Sequence, residues 1–151
     1  FIINLLRTNS KNLDFIKLVK LLDATLKISD GQDHAFYNQF NKIDALKNVV
    51  VAYKNKQPMG CGAFKIHPNN TVEIKRMYVA TDARRLGIAS KVLEELEQWA
   101  KELGITKCIL ETGKKQPEAI ELYKKCGYNI TANFGFYENV ENSVCFEKFI
   151  G

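Results

Sequence analysis

Val72-Glu73-Ile74-Lys75-Arg76-Met77-Tyr78-Val79 alternates and is rich in β-branched and aromatic residues, as a strand is. Ala89, Leu93, Leu96, Ala100 and Leu103 then recur at three- and four-residue steps, with Glu94, Glu95, Glu97, Lys101 and Glu102 on the other side. Between the two runs lies Arg84-Arg85-Leu86-Gly87-Ile88-Ala89. A strand therefore feeds a turn, and the turn opens a helix with a glycine near its first position. The free N–H groups of a helix start favour acids. Here that region holds Arg84, Arg85 and Lys91 and no acid. Cations there are unfavourable unless an anion is bound, and Gly87 allows close approach to the backbone. Unpaired amides, helix dipole and guanidinium would together form a phosphate cradle. A glycine N-cap with surface arginines is the plainer alternative, and the turn alone does not separate the two.

The rest of the chain narrows the class of protein. Its 151 residues suffice for one domain (1–151) with a buried core. With 46% apolar and 26% charged residues it is an ordinary globular composition. The net charge of +5 suits an anionic ligand. It is too small and scattered for nucleic acid, and no basic run with interleaved aromatics occurs. No apolar stretch approaches a membrane span. Phe1-Ile2-Ile3-Asn4-Leu5-Leu6 reads as an opening strand and lacks signal-peptide features. Cys61, Cys108, Cys126 and Cys145 show neither metal-ligand nor C-x-x-C spacing, and His34 and His67 are isolated. Reduced core thiols in the cytoplasm and no metal are expected.

Periodicity predicts a strand over 2–7, a helix over 12–28, a turn at Ser29-Asp30-Gly31 and a short helix near 34–42. Strands follow at 48–53 and 59–66, joined by an Asn55-Lys56-Gln57-Pro58 turn. Gly60 and Gly62 mark bends or close packing. After the cradle helix come a buried strand at 107–112 and a helix from Pro117 to about Cys126, ended by Gly127. Strands near 128–133 and 143–149 enclose an aromatic and polar loop at 133–142. Helices and strands mix without strict alternation, so the fold class is α+β, with a mostly antiparallel mixed sheet flanked by helices.

Arg84-x-x-Gly87-x-Ala89 after a strand resembles the acyl-CoA signature of the GNAT acyltransferases, (Arg/Gln)-x-x-Gly-x-(Gly/Ala). Downstream, Ala119-Ile120-Glu121-Leu122-Tyr123-Lys124-Lys125-Cys126-Gly127-Tyr128 is similar to that family's helix ending in Leu-Tyr, followed by a Gly-aromatic pair. The two motifs are in the family's order and spacing, and the resemblance covers residues 45–149. It implies a GNAT fold, with the sheet splayed between the strands at 72–80 and 107–112. It implies acetyl-CoA as cosubstrate, its pantetheine paired with backbone near Tyr78 and Val79. The pyrophosphate would lie on the amides of Arg85, Leu86, Gly87, Ile88, Ala89 and Ser90, with Arg84 heading the motif. The family often has Asn where this chain has Gln116, a longer amide able to make the same kind of contact.

The implied reaction is acetyl transfer to a primary amine by direct attack, with no covalent enzyme intermediate. An amine with a pKa of about 10.4 must lose a proton at pH 7, which costs about 4–5 kcal/mol. Glu73, eleven positions before Arg84, stands where some members of the family place a base carboxylate. Its alternative is an ion pair with Lys75, Arg76 or another cation. Tyr123 corresponds to the family's tyrosine that donates a proton to the leaving thiolate or hydrogen-bonds it; its alternative is packing against the sheet. A backbone N–H near Tyr78 or Val79 would hold the oxyanion. Cys126 has no base near it in sequence and is not expected to be a nucleophile.

His34, Phe36, Tyr37, Phe134, Phe136 and Tyr137 would wall a pocket for a small amine, or simply fill core. Arg76 would meet a carboxylate on an amino-acid-like acceptor, or sit on the sheet. A small-molecule amine acceptor is expected, with no nucleic acid or membrane partner and a homodimer as one option. A protein lysine or N-terminal acetyltransferase and a non-catalytic acyl-CoA sensor stay open. A nucleotide-phosphate loop is disfavoured, because no Lys-Ser/Thr follows the glycine at P-loop spacing.

Overall fold

The computed structural model describes residues 2–31 and 46–151. The short helix expected near 34–42, with His34, Phe36 and Tyr37, lies outside the described residues. The chain runs β1 (Ile3–Thr8), α1 (Leu13–Asp30), β2 (Asn48–Lys54), β3 (Gln57–His67), β4 (Thr71–Val79), α2 (Ile88–Glu102), β5 (Lys107–Gly113), α3 (Pro117–Lys125), β6 (Asn129–Thr131) and β7 (Ser143–Phe149). The strands form one mixed sheet in the order β1-β2-β3-β4-β5-β7-β6. Every pairing is antiparallel except β4 with β5. The fold class is the expected α+β. The turn expected over 55–58 is tighter: Asn55 and Lys56 both take positive φ, and β3 starts at Gln57. The strand expected over 128–133 shortens to three residues.

Each helix follows its apolar period onto one face of the sheet. On α1, Asn12 caps the helix by accepting from the Phe15 amide at 2.9 Å. Phe15, Leu18, Val19 and Leu22 then pack on Val49, Val51, Cys61, Ala63 and Tyr78. On α2, Val92, Leu93, Leu96 and Ala100 pack on Val50, Phe64, Val72 and Ile74 on the opposite face. Each fully buried Val, Leu, Ile or Phe side chain among these contributes roughly 1.5–3 kcal/mol. Gly62 is needed for that contact: a Cβ there would stand 2.9 Å from Leu96 Cδ1.

Glu97, expected among the outward charges of α2, is buried instead. It accepts from the Tyr128 hydroxyl at 2.9 Å and from Lys148 Nζ at 2.8 Å. Lys148 also donates to the Cys126 carbonyl at 2.9 Å. The period of α2 gave no warning, because the partners are distant in the chain: Tyr128 just before β6, and Lys148 on β7. At the end of α3, Gly127 is left-handed (φ 92°). Tyr128 N–H returns to the Tyr123 carbonyl and Gly127 N–H to the Lys124 carbonyl, a Schellman closure that fixes the last turn carrying Tyr123.

Candidate active site

The parallel pairing of β4 and β5 ends after three residue pairs, Thr71 with Lys107, Val72 with Cys108 and Glu73 with Ile109. Beyond Glu73, β4 keeps its antiparallel partner β3, and β5 keeps β7. The sheet is therefore splayed between β4 and β5. Ala80 N–H donates to the Met59 carbonyl, and Tyr78 is in register with Cys61. Backbone groups alternate sides along a strand. Tyr78 thus turns its amide and carbonyl toward β3, and Val79 turns its own toward the open side. Of the two positions expected at the splay, Val79 is the one whose backbone faces it. Arg84 Nε donates to the Val79 carbonyl at 3.3 Å, from an exposed position.

The helix start lies next to this edge. Arg85 (φ 69°) and Gly87 (φ 75°) are both left-handed. A non-glycine residue in that region is strained, a condition that clusters at ligand sites. No side chain caps α2, and its first turn contains no acid. The Lys91 amide is the first to find an intrahelical partner, the Gly87 carbonyl at 3.1 Å. Among the described residues, the amides of Arg85 through Ser90 have no hydrogen-bond partner. A Cβ at Gly87 would meet nothing within 4 Å, so the space above this backbone is open. Arg84 and Arg85 are exposed beside it, Leu86, Ala89 and Ser90 are half-buried, and Ile88 is buried. These groups suit a polyanion.

A cavity of about 150 Å³ occupies the splay, bounded by Leu22 and Leu26 of α1, Glu73 to Met77 of β4, Glu111 to Gly113 of β5, and α3. Glu73 is buried. His67 Nε2 donates to its Oε1 at 2.9 Å, and Lys75 Nζ lies 3.6 Å from Oε2. Tyr123 also lines the cavity, its ring against Tyr128 and Phe146. Burial pushes the Tyr123 hydroxyl above the ordinary tyrosine range, so it keeps its proton. Gln116, at the start of α3, lines the same cavity, and its buried Nε2 has no partner.

Arg76 stands at a β-bulge, with φ of +58°. An extra residue in a strand reverses its in–out alternation. Val72 and Ile74 face the α2 side, whereas Tyr78 faces the α1 side. Glu73, Lys75 and Arg76 therefore share the cavity face. The Arg76 side chain is 2% exposed and pairs through Nη2 with Asp23. Tyr137 is buried against Phe134 and reaches the cavity, while Phe136 is 71% exposed. Sequence reasoning named Lys75 as a possible partner of Glu73, which the structure places at 3.6 Å, but missed His67 and Glu111. Glu111 was legible as the one acid in an apolar strand. His67 needs the β3–β4 register, in which Lys65 opposes Glu73 and His67 is the diagonal neighbour. Among the described residues no group of His, Cys, Asp and Glu could hold a metal, and no helix is long and apolar enough to cross a membrane.

Comparison with known proteins agrees with this geometry. The family model described as "Acetyltransferase (GNAT) family" matches residues 16–128. An IAA acetyltransferase of Azospirillum brasilense is 36% identical over 100 residues, 66% of this chain and 65% of that protein. The chain spans between 50% and 65% of the length of the first curated relatives it matches. A candidate acyl-CoA N-acyltransferase of Klebsiella pneumoniae superposes with a TM-score of 0.84 at 25% identity, over 99% of both chains. The PaiA N-acetyltransferase of Thermoplasma acidophilum, solved in complex with coenzyme A, superposes with a TM-score of 0.74 at 17% identity, again over 99% of both. The splayed sheet, the uncapped basic helix start and a family match over three-quarters of the sequence converge on one assignment: this chain belongs to the GNAT family of acetyltransferases.

Proposed function

We propose that the chain is a single acetyltransferase domain that transfers an acetyl group from acetyl-CoA to the primary amine of a small metabolite. The observation that carries this reading is the end of β4–β5 pairing at Glu73–Ile109, beside a helix start with unpartnered amides. The gap takes the extended arm of the cosubstrate as one more strand, along Val79. The amides of residues 85–90, with Arg84 and Arg85, take the pyrophosphate. Gln116 Nε2, buried without a partner, supplies an amide donor along the same path. Acetyl-CoA brings an activated thioester; the chain's own residues do the rest.

Glu73 accepts the proton of the incoming amine. Two partners, the His67 ring and the Lys75 ammonium, hold its carboxylate in one orientation at the cavity wall. The Val79 amide faces the splay and donates to the carbonyl oxygen as negative charge develops there. Tyr123, protonated and buried, donates to the departing sulfur. The acid and the base line one cavity, which favours turnover over a sensor that only binds acyl-CoA. An amine-library screen with acetyl-CoA and thiol detection tests the reading. Thiol release that requires both an amine and Glu73 is the expected result; binding of acetyl-CoA without release for any amine would contradict it.

A further inference from the structure

Arg76 is an anomaly that the acetyl-transfer roles leave unexplained. Its side chain is 2% exposed, yet the carboxylate that pairs with it among the described residues, Asp23, is 41% exposed. A buried cation is costly unless its charge and its donors are both satisfied. Asp23 meets only Nη2, and Nε is buried without a partner. The backbone at Arg76 is also left-handed, a strained state for a residue with a side chain. The bulge puts this guanidinium on the cavity face, three positions from Glu73 on the same strand.

The charges of the cavity wall have a pattern. Glu73 and Glu111 are acids, Lys75 and Arg76 are cations, and the two signs face one small space. Glu111 is oriented by Ser143, whose Oγ donates to it at 2.7 Å. Such a wall complements a zwitterion better than a simple amine. The end near Glu73 receives an ammonium group and takes its proton. The Arg76 end has an unsatisfied guanidinium donor, which matches a carboxylate.

Resting on the acetyl-transfer reading above, we infer that the acceptor is a small amino acid whose carboxylate is bound by Arg76 while its amine faces Glu73. Asp23 is then a positioning residue that holds the guanidinium against β4.

Matched pairs that differ only in the carboxylate test this: alanine with ethylamine, leucine with isopentylamine, phenylalanine with phenethylamine, lysine with cadaverine. Two readouts are taken, thiol release from acetyl-CoA and the melting shift that each compound gives in the presence of CoA. For at least one pair, the amino acid is expected to exceed its decarboxylated partner at least 100-fold in kcat/KM and to be the only one that raises the melting temperature. In Arg76→Met that discrimination should collapse below 10-fold, mainly through KM, and Arg76→Lys should retain part of it. If Arg76→Met does not fold, the Lys variant and the wild-type pairs still decide. Decarboxylated amines that react and bind as well as their amino acids would overturn the carboxylate site and leave the transfer reading intact. Amino acids that bind through Arg76 without thiol release would overturn the transfer reading and leave the carboxylate site intact.

Discussion

His67 Nε2 and Glu73 Oε1 stand 2.9 Å apart, diagonal neighbours across the β3–β4 hairpin. The contact leaves Glu73 both anchored and at the cavity wall. Glu73→Gln should lower kcat by about 10²–10⁴-fold, the range for a general base. The variant then depends on free amine from solution, whose supply rises with pH toward a pKa of about 10.4. The gap from wild type should therefore narrow as pH rises. Parallel pH–rate profiles would remove Glu73 from the proton path.

Tyr123→Phe keeps the ring contacts with Tyr128 and Phe146 and removes only the hydroxyl. Turnover should fall by about 10²-fold. The affinity for CoA, measured by calorimetry, should change little. Equal activity in the variant would reduce Tyr123 to packing.

Gly87→Glu changes a position with open space around it, so the fold should lose only about 1–2 kcal/mol, for the left-handed backbone. The variant places a carboxylate where the phosphates would lie. The free protein should melt a few degrees lower, and acetyl-CoA should no longer raise its melting temperature. A full ligand-induced rise in the variant would contradict the cradle.

Burial pushes the Cys61 thiol up to about 12 and the Cys108 and Cys145 thiols up to about 11. The native state thus holds these protons more tightly than the unfolded chain does. Their contribution to stability is complete below pH about 9 and is lost as pH climbs through about 11 to 12. At pH 8 a thiol reagent should label only Cys126 in the native protein. Cys126 Sγ lies 3.7 Å from Ser90 Oγ, at the helix start, so bound CoA should slow that labelling. Mass spectrometry of the labelled protein checks both statements.

Tyr128→Phe leaves the Glu97–Lys148 pair in place and removes one buried hydrogen bond. It should cost about 1–3 kcal/mol, read from the urea midpoint. Glu97→Ala should cost more, because it leaves the Lys148 ammonium without its carboxylate.

Much of the site could be read from local chemistry. The uncapped basic turn, Gly87 and the strand before it are contiguous, so their meaning survives without tertiary context. The helix with Tyr123 was legible for the same reason, since Pro117 and Gly127 mark its ends. What local pattern did not show is set by register. The single extra residue at Arg76 reverses the alternation of β4, and no propensity marks an arginine for positive φ. The assembly of His67 and Glu73, and of Glu97 with Tyr128 and Lys148, depends on which strands become neighbours. The Asp23–Arg76 pair joins residues 53 positions apart in the chain, beyond the reach of any spacing rule.

The most direct test of the central claim is an amide-resolved NMR titration with acetyl-CoA. Saturable shifts at Arg85 through Ser90 and at Val79, with little change along β1, are the expected result. Binding that leaves those amides unmoved, or no binding at millimolar acetyl-CoA, would contradict the account.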